Sequence, residues 1–167
     1  MIENSGATLL MRASDRINSV CEVILFAILA LMTFFTILQI VCRMWFKALT
    51  WSEEITCFLL VFASFFGICV AFKRGANITV NFLRDALPQG PRRLLLMAIE
   101  AVGMIFFAVT GWFGGALCVS ERFQTASSLP ISMSWIYLIF PLSSVIAILH
   151  LAARLEELIR FPDTRPR

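Results

Sequence analysis

The stretch VILFAILALMTFFTILQIVC, from Val23 to Cys42, runs for 20 residues without a charged side chain. A hydrocarbon core about 30 Å thick is crossed by roughly 20 helical residues at about 1.5 Å each, so this stretch reads as one transmembrane helix. Three more uncharged runs follow: Ile55 to Phe72 with 18 residues, Ala101 to Ser120 with 20, and Phe123 to Ala153 with 31. Each suffices for one crossing and none for two. The last is too long for a straight span, and Pro130 offers a helix start inside it, leaving 123–129 as a connector. The expected fold is therefore an all-α integral membrane protein with four transmembrane helices, forming a single membrane domain over residues 1–167. Their expected bounds are about 17–42, 52–72, 91–120 and 131–159.

Composition agrees with the runs. Of 167 residues, 59% are hydrophobic and 15% charged, against about 45–50% and 25% in soluble domains. A β-barrel would need segments of about ten residues alternating in polarity, and none is visible. No small-x-small cleavage site follows the first run, where Cys42-Arg43-Met44 stands instead, so the first helix is expected to stay as a signal anchor.

Charge sets the expected topology. With the amino terminus inside, 11 basic residues fall on inner segments: Arg12, Arg16, Lys73, Arg74, Arg84, Arg92, Arg93, Arg154, Arg160, Arg165 and Arg167. The outer segments hold 3, Arg43, Lys47 and Arg122. The positive-inside rule then places both termini in the cytoplasm. These dispersed side chains read as phospholipid contacts and not as a nucleic-acid surface. Trp45 and Trp51, and further on Trp135 with Tyr137, fit the outer headgroup level, where an apolar ring with a polar edge is favoured. Thr50 and Glu53 have the spacing of a capping box for the second helix.

Between the second and third spans, Ile78, Phe82, Leu83, Ala86 and Leu87 share one side of a helical projection, and Asn77, Asn81, Arg84 and Asp85 lie mostly elsewhere. This pattern predicts an interfacial amphipathic helix over about 77–87, ended by Pro88, Gly90 and Pro91.

Catalytic chemistry has little to work with. One histidine, His150, excludes paired haem ligation and reads as a snorkelling side chain near the inner end of the fourth helix. Cys21, Cys42, Cys57, Cys69 and Cys118 form no C-x-x-C pair and read as small packing residues. No phosphate loop, nucleophile triad or metal-ligand spacing occurs. The chain is expected to be no enzyme and to hold no cofactor and no metal. Glu22 and Glu100 lie about 9 and 12 Å inside Arg16 and Arg92, close to the inner boundary, and are expected to pair with a neighbouring Arg or Lys, in this chain or in a partner. Glu53 and Glu54 open the second helix near Arg43 and Lys47, a charge-paired connector. Gly111 and Gly115 form a G-x-x-x-G at which another helix can approach closely. Pro141 is expected to kink the fourth helix.

Taken together, Arg43, Trp51-Ser52-Glu53-Glu54, Gly67, Ala71, Gly75-Ala76-Asn77-Ile78-Thr79-Val80, Pro88, Pro130 and Pro141 resemble the small, DctQ-like membrane subunit of tripartite ATP-independent periplasmic (TRAP) transporters. The resemblance extends from about Ile17 to Ile159. The family is expected often to carry histidine where this chain has Asn77. It implies a small scaffold subunit of a sodium-coupled, binding-protein-dependent importer of an organic anion, such as a carboxylated sugar or dicarboxylate, in a bacterial inner membrane. The implied partners are a large multi-span TRAP membrane subunit, which moves as an elevator, and a soluble periplasmic substrate-binding protein. Arg43, Trp51, Glu53 and Glu54 would hold the outer end, and Asn77 with its neighbours the inner end. Glu100, Gly111, Gly115, Pro130 and Pro141 complete the structural or partner-interface candidates. Two competing readings stay open: an independent four-helix exporter acting as a homo-oligomer, in which Glu22 or Glu100 would couple protons, and a non-transport assembly or redox membrane protein.

Overall fold

The computed structural model describes residues 9–45, 49–74 and 89–160. The expected interfacial helix, with Asn77, lies outside the described residues, as does Lys47. Among the described residues there are five α-helices: α1 Leu9–Trp45, α2 Thr50–Arg74, α3 Gln89–Ser120, α4 Met133–Tyr137 and α5 Ile139–Arg160, with a 3-10 turn at Glu121–Phe123. Four segments of the described residues are long and apolar enough to cross a membrane, the fourth combining α4 and α5 over Met133–Ile159.

α1 outruns the expected 17–42 at both ends. Between Leu9 and Trp45 the sequence has no glycine or proline to stop it. Its 37 residues measure about 55 Å, well beyond the hydrocarbon thickness. At the start of α2 the Leu49 carbonyl accepts from the Ser52 and Glu53 amides, at 3.2 and 3.4 Å. Thr50 is thus inside the first turn, and the expected capping box is replaced by a backbone closure.

The fourth crossing begins later than 131. Ser132 takes the N-cap position, its hydroxyl accepting from the Ser134 amide, and Pro130 sits in the connector ahead of it. Within that connector Thr125 and Ser132 form an isolated antiparallel bridge. The helix is interrupted at Leu138, between α4 and α5. Pro141, in the first turn of α5, has no N–H to offer the carbonyl four residues back, which accounts for the break on its amino-terminal side.

α5 is the helix around which the others gather. Ile139, Ser143, Ser144, Ala147, His150, Leu151 and Ala153 are all buried there. One apolar cluster joins α1, α2 and α5 through Cys21, Ile28, Ala63, Phe66, Val70 and Ile139. A second joins α2, α3 and α5 through Cys69, Phe107, Ala147 and Leu151. α2 and α5 therefore form the middle pair, with α1 on one side and α3 on the other. Lipid tails are as apolar as leucine, so such contacts rest on close packing more than on water exclusion. Glycines on α3 permit it: a Cβ at Gly103 would come within 3.2 Å of Leu151, one at Gly111 within 3.0 Å of Ser144, and one at Gly114 would collide with Phe140. These pairs also make α3 and α5 antiparallel. Of the expected G-x-x-x-G, Gly111 packs inside the chain, whereas a Cβ at Gly115 would meet nothing within 4 Å. The internal contact uses Gly114 instead, because three residues, and not four, return to the α5 side at that turn.

The crossings bring Leu9 and Arg160 to one face, called here the terminal face. The opposite, connector face carries the end of α1, the start of α2 and residues 121–132.

Candidate functional sites at the two membrane faces

At the connector face the arrangement is built on Glu54. Its two carboxylate oxygens accept from the consecutive backbone amides of Ser127 and Ser128, both at 2.8 Å. An ionised acceptor makes each bond stronger than its neutral counterpart. The amino-terminal end of α2 thereby holds the connector that leads into α4. Neighbouring bonds tie the connector to itself: the Ser132 hydroxyl donates to the Arg122 carbonyl at 2.9 Å, and the Ser134 hydroxyl to the Cys118 carbonyl at 2.7 Å. α1 and α2 are joined at the same level by Gln39, whose amide donates to Thr56 Oγ1 at 2.9 Å and to the buried Ser52 hydroxyl at 3.3 Å. Trp51 stacks edge-on against Phe35, with ring centroids 6.3 Å apart.

The expected outer residues thus diverge. Glu54 turns to the connector and Trp51 to α1, while Glu53 is exposed and Arg43 stands exposed in the last turn of α1. Gln39 and the two amides carry no signal in the sequence, and Ser52 stands out there only as part of the Trp51-Ser52-Glu53-Glu54 stretch.

At the terminal face, charged side chains hold each other. Asp15 on α1 pairs with Lys73 on α2 at 2.7 Å, and Glu22 with Arg74 at 2.7 Å. Asn18 donates to Glu22 at 2.6 Å. Deeper in, Arg154 on α5 donates to the Phe72 carbonyl at 2.8 Å, taking up one of the α2 acceptors left open at a helix end. The same Nη1 lies 3.4 Å from Glu100 on α3, so this one guanidinium links its own helix to two others. Glu22 and Glu100 both have arginine partners within the chain.

His150 is not the snorkelling side chain expected. It is fully buried, with Nδ1 2.8 Å from the Ser14 hydroxyl of α1. Its place on the α1 side of α5, one turn before Arg154, aims it into the bundle and not along the membrane surface. Among the described residues, His150 Nε2, Glu100 Oε2 and Asn18 Oδ1 are buried without a hydrogen-bond partner. All five cysteines are free, and no group of three His, Cys, Asp or Glu side chains among the described residues could hold a metal ion.

Comparison with known proteins adds two findings. Residues 32–161 match the family described as Tripartite ATP-independent periplasmic transporters, DctQ component. Two relatives in particular are similar. The sialic acid TRAP transporter small permease protein SiaQ of Vibrio cholerae is 24% identical over 110 residues, 66% of this chain and 64% of that protein. The chain thus spans just under two thirds of that relative's length. The sialic acid TRAP transporter permease protein SiaT of Haemophilus influenzae is 29% identical over 114 residues, which are 68% of this chain but 18% of that protein.

Proposed function

The chain belongs to the DctQ component family of the tripartite ATP-independent periplasmic transporters, making it a small transporter subunit and no enzyme, and on that premise we propose that it is a static scaffold. In this reading it braces a larger permease of a sodium-coupled importer in a bacterial inner membrane, both termini cytoplasmic. The cargo is an organic anion delivered by a periplasmic binding protein, and the connector face helps receive that protein. The basic residues of the terminal face rest among phospholipid headgroups. The kinship with sialic acid transporters supports a carboxylated sugar or another organic acid as cargo.

The observation that carries the scaffold role is that the bundle is tied at both faces and filled by apolar side chains between them. Ile28, Ala63, Phe66, Phe107, Ile139 and Ala147 fill the interior. The buried hydroxyls of Ser143 and Ser144 are spent on the Phe140 carbonyl. A secondary transporter's binding site uses broken helices and free polar groups near the midplane; the described interior offers a brace instead.

The test is a pull-down of the tagged chain from its native membrane in mild detergent, with the co-purifying proteins identified by mass. Recovery in equal amounts with a much larger multi-span protein supports the scaffold reading. Recovery of the chain alone, as a stable homo-oligomer, overturns it. In the intact transporter Glu54→Ala is expected to lower uptake without changing which substrate is preferred. A changed preference with the complex still assembled would contradict the role.

A further inference from the structure

We propose that the outward face of α3 around Trp112 and Gly115 seats a membrane-spanning helix of the larger permease, one that offers a hydrogen-bond acceptor to the Trp112 indole at mid-membrane depth. This rests on the subunit reading above and adds to it the face and the chemistry of the contact.

Three of the four tryptophans stand where the bilayer favours them. Trp45 ends α1, Trp51 lies in the first turn of α2, and Trp135 in α4, all at the connector face. Trp112 does not. The uncharged run from Ala101 to Ser120 has its centre between Thr110 and Gly111, which puts Trp112 about 2–3 Å from mid-run along the helix axis. There its side chain is 78% exposed. Among the described residues it forms no hydrogen bond and no ring contact. Lipid tails have no acceptor for an indole N–H, and leaving one unmet in hydrocarbon is costly.

The remaining outward hydroxyls at membrane depth show how this surface otherwise meets lipid. Thr33 donates to Leu29, Thr36 to Met32, Ser64 to Leu60 and Thr110 to Phe106, each bonding the carbonyl one turn earlier at 2.8–2.9 Å. Their donors are silenced within the helix. An indole N–H has no such local acceptor, so Trp112 stands out as the unmet donor on a surface that satisfies its own. The second observation is independent. Gly115, three residues on and hence on the same side, has open space where a Cβ would be. A side chain there would meet nothing within this chain, and its absence lowers the surface beside the indole so that another backbone can approach. In the Haemophilus influenzae relative a segment like this chain occupies 18% of a single permease polypeptide, which makes a permease helix the occupant to expect.

The experiment uses the full chain co-expressed with its permease. Trp112→Phe keeps the ring and removes the donor, and Gly115→Leu fills the notch. Interhelical bonds and close contacts in membranes are modest, so each variant is expected to lower the permease recovered per tagged chain about three- to tenfold. The isolated chain's unfolding midpoint should not fall, because neither replacement removes a contact within it and losing a mid-helix glycine favours the helix. A benzophenone side chain at position 112 should crosslink to the permease. Undiminished recovery with both variants, or a crosslink to a second copy of the chain or to lipid alone, overturns the proposal while the subunit reading stands. If the unaltered chain recovers no permease, the subunit reading falls and takes this contact with it.

Discussion

The connector face grips backbone and the terminal face grips charge. Glu54 accepts from two peptide amides that no substitution except proline can remove, so the bond depends on one side chain alone. Asp15–Lys73, Glu22–Arg74 and Glu100–Arg154 each require two side chains to match. The terminal face is also graded by depth. Asp15 and Arg74 are largely exposed, at 67% and 63%, whereas the Glu100 side chain is 4% exposed. Water screens the first kind of pair, and such surface pairs contribute little; burial magnifies the penalty of leaving the second kind unpaired. The comparison teaches that the number of ion pairs at a face says less about its hold on the helices than where each one sits.

The largest effect expected is from Arg154→Met. It strands a buried carboxylate and reopens the Phe72 carbonyl, and should destabilise the bundle by about 3 kcal/mol in detergent unfolding. Adding Glu100→Gln should recover much of the loss; if the double variant is as unstable as the single one, the guanidinium matters only as the α2 cap. Glu54→Ala should cost about 2 kcal/mol, the worth of losing charge-assisted bonds whose amides can partly turn to water. Its sharper signature is local, with faster protease cleavage between 121 and 132 and no change at the terminal face. Ser14→Ala is expected to cost about 1 kcal/mol by leaving His150 without its α1 partner. A loss as large as that of Arg154→Met would mean that the imidazole, and not the guanidinium, organises the terminal face. Least of all, Arg74→Ala should leave the unfolding midpoint unchanged, and a clear, salt-sensitive drop would contradict the grading by depth.

The four crossings were legible because hydrocarbon thickness imposes a run length that sequence displays directly. Helix ends were less so. Nothing in the charge pattern says that α1 continues to Leu9, since only a glycine or proline would have announced a stop. The pairing of Glu22 and Glu100 with arginines was readable from their nearness to the basic boundary, but which arginine was not, as Arg74 and Arg154 come from other helices. Glu54 was legible as a residue of interest, yet its partners were not, because they are amides and carry no letter in the sequence. His150 misled for a related reason. Position along a helix gives depth in the membrane but not which way a side chain faces, and a single polar residue has no periodicity to reveal its side. Gly111 and Gly115 show the same limit: spacing marks a narrow ridge, and only the packed bundle tells that Gly114 serves the interior while Gly115 faces out.

The grip of Glu54 on peptide amides has a consequence for how related chains can differ. Side chains at 127 and 128 are free to drift, to become longer, charged or aromatic, without loosening the hold on the connector, provided that neither becomes proline. A hold of this kind lets the loop's side chains be rewritten while its course across the membrane face is preserved. Lineages should therefore show a fixed acidic residue at 54 opposite a pair of positions that accept almost anything.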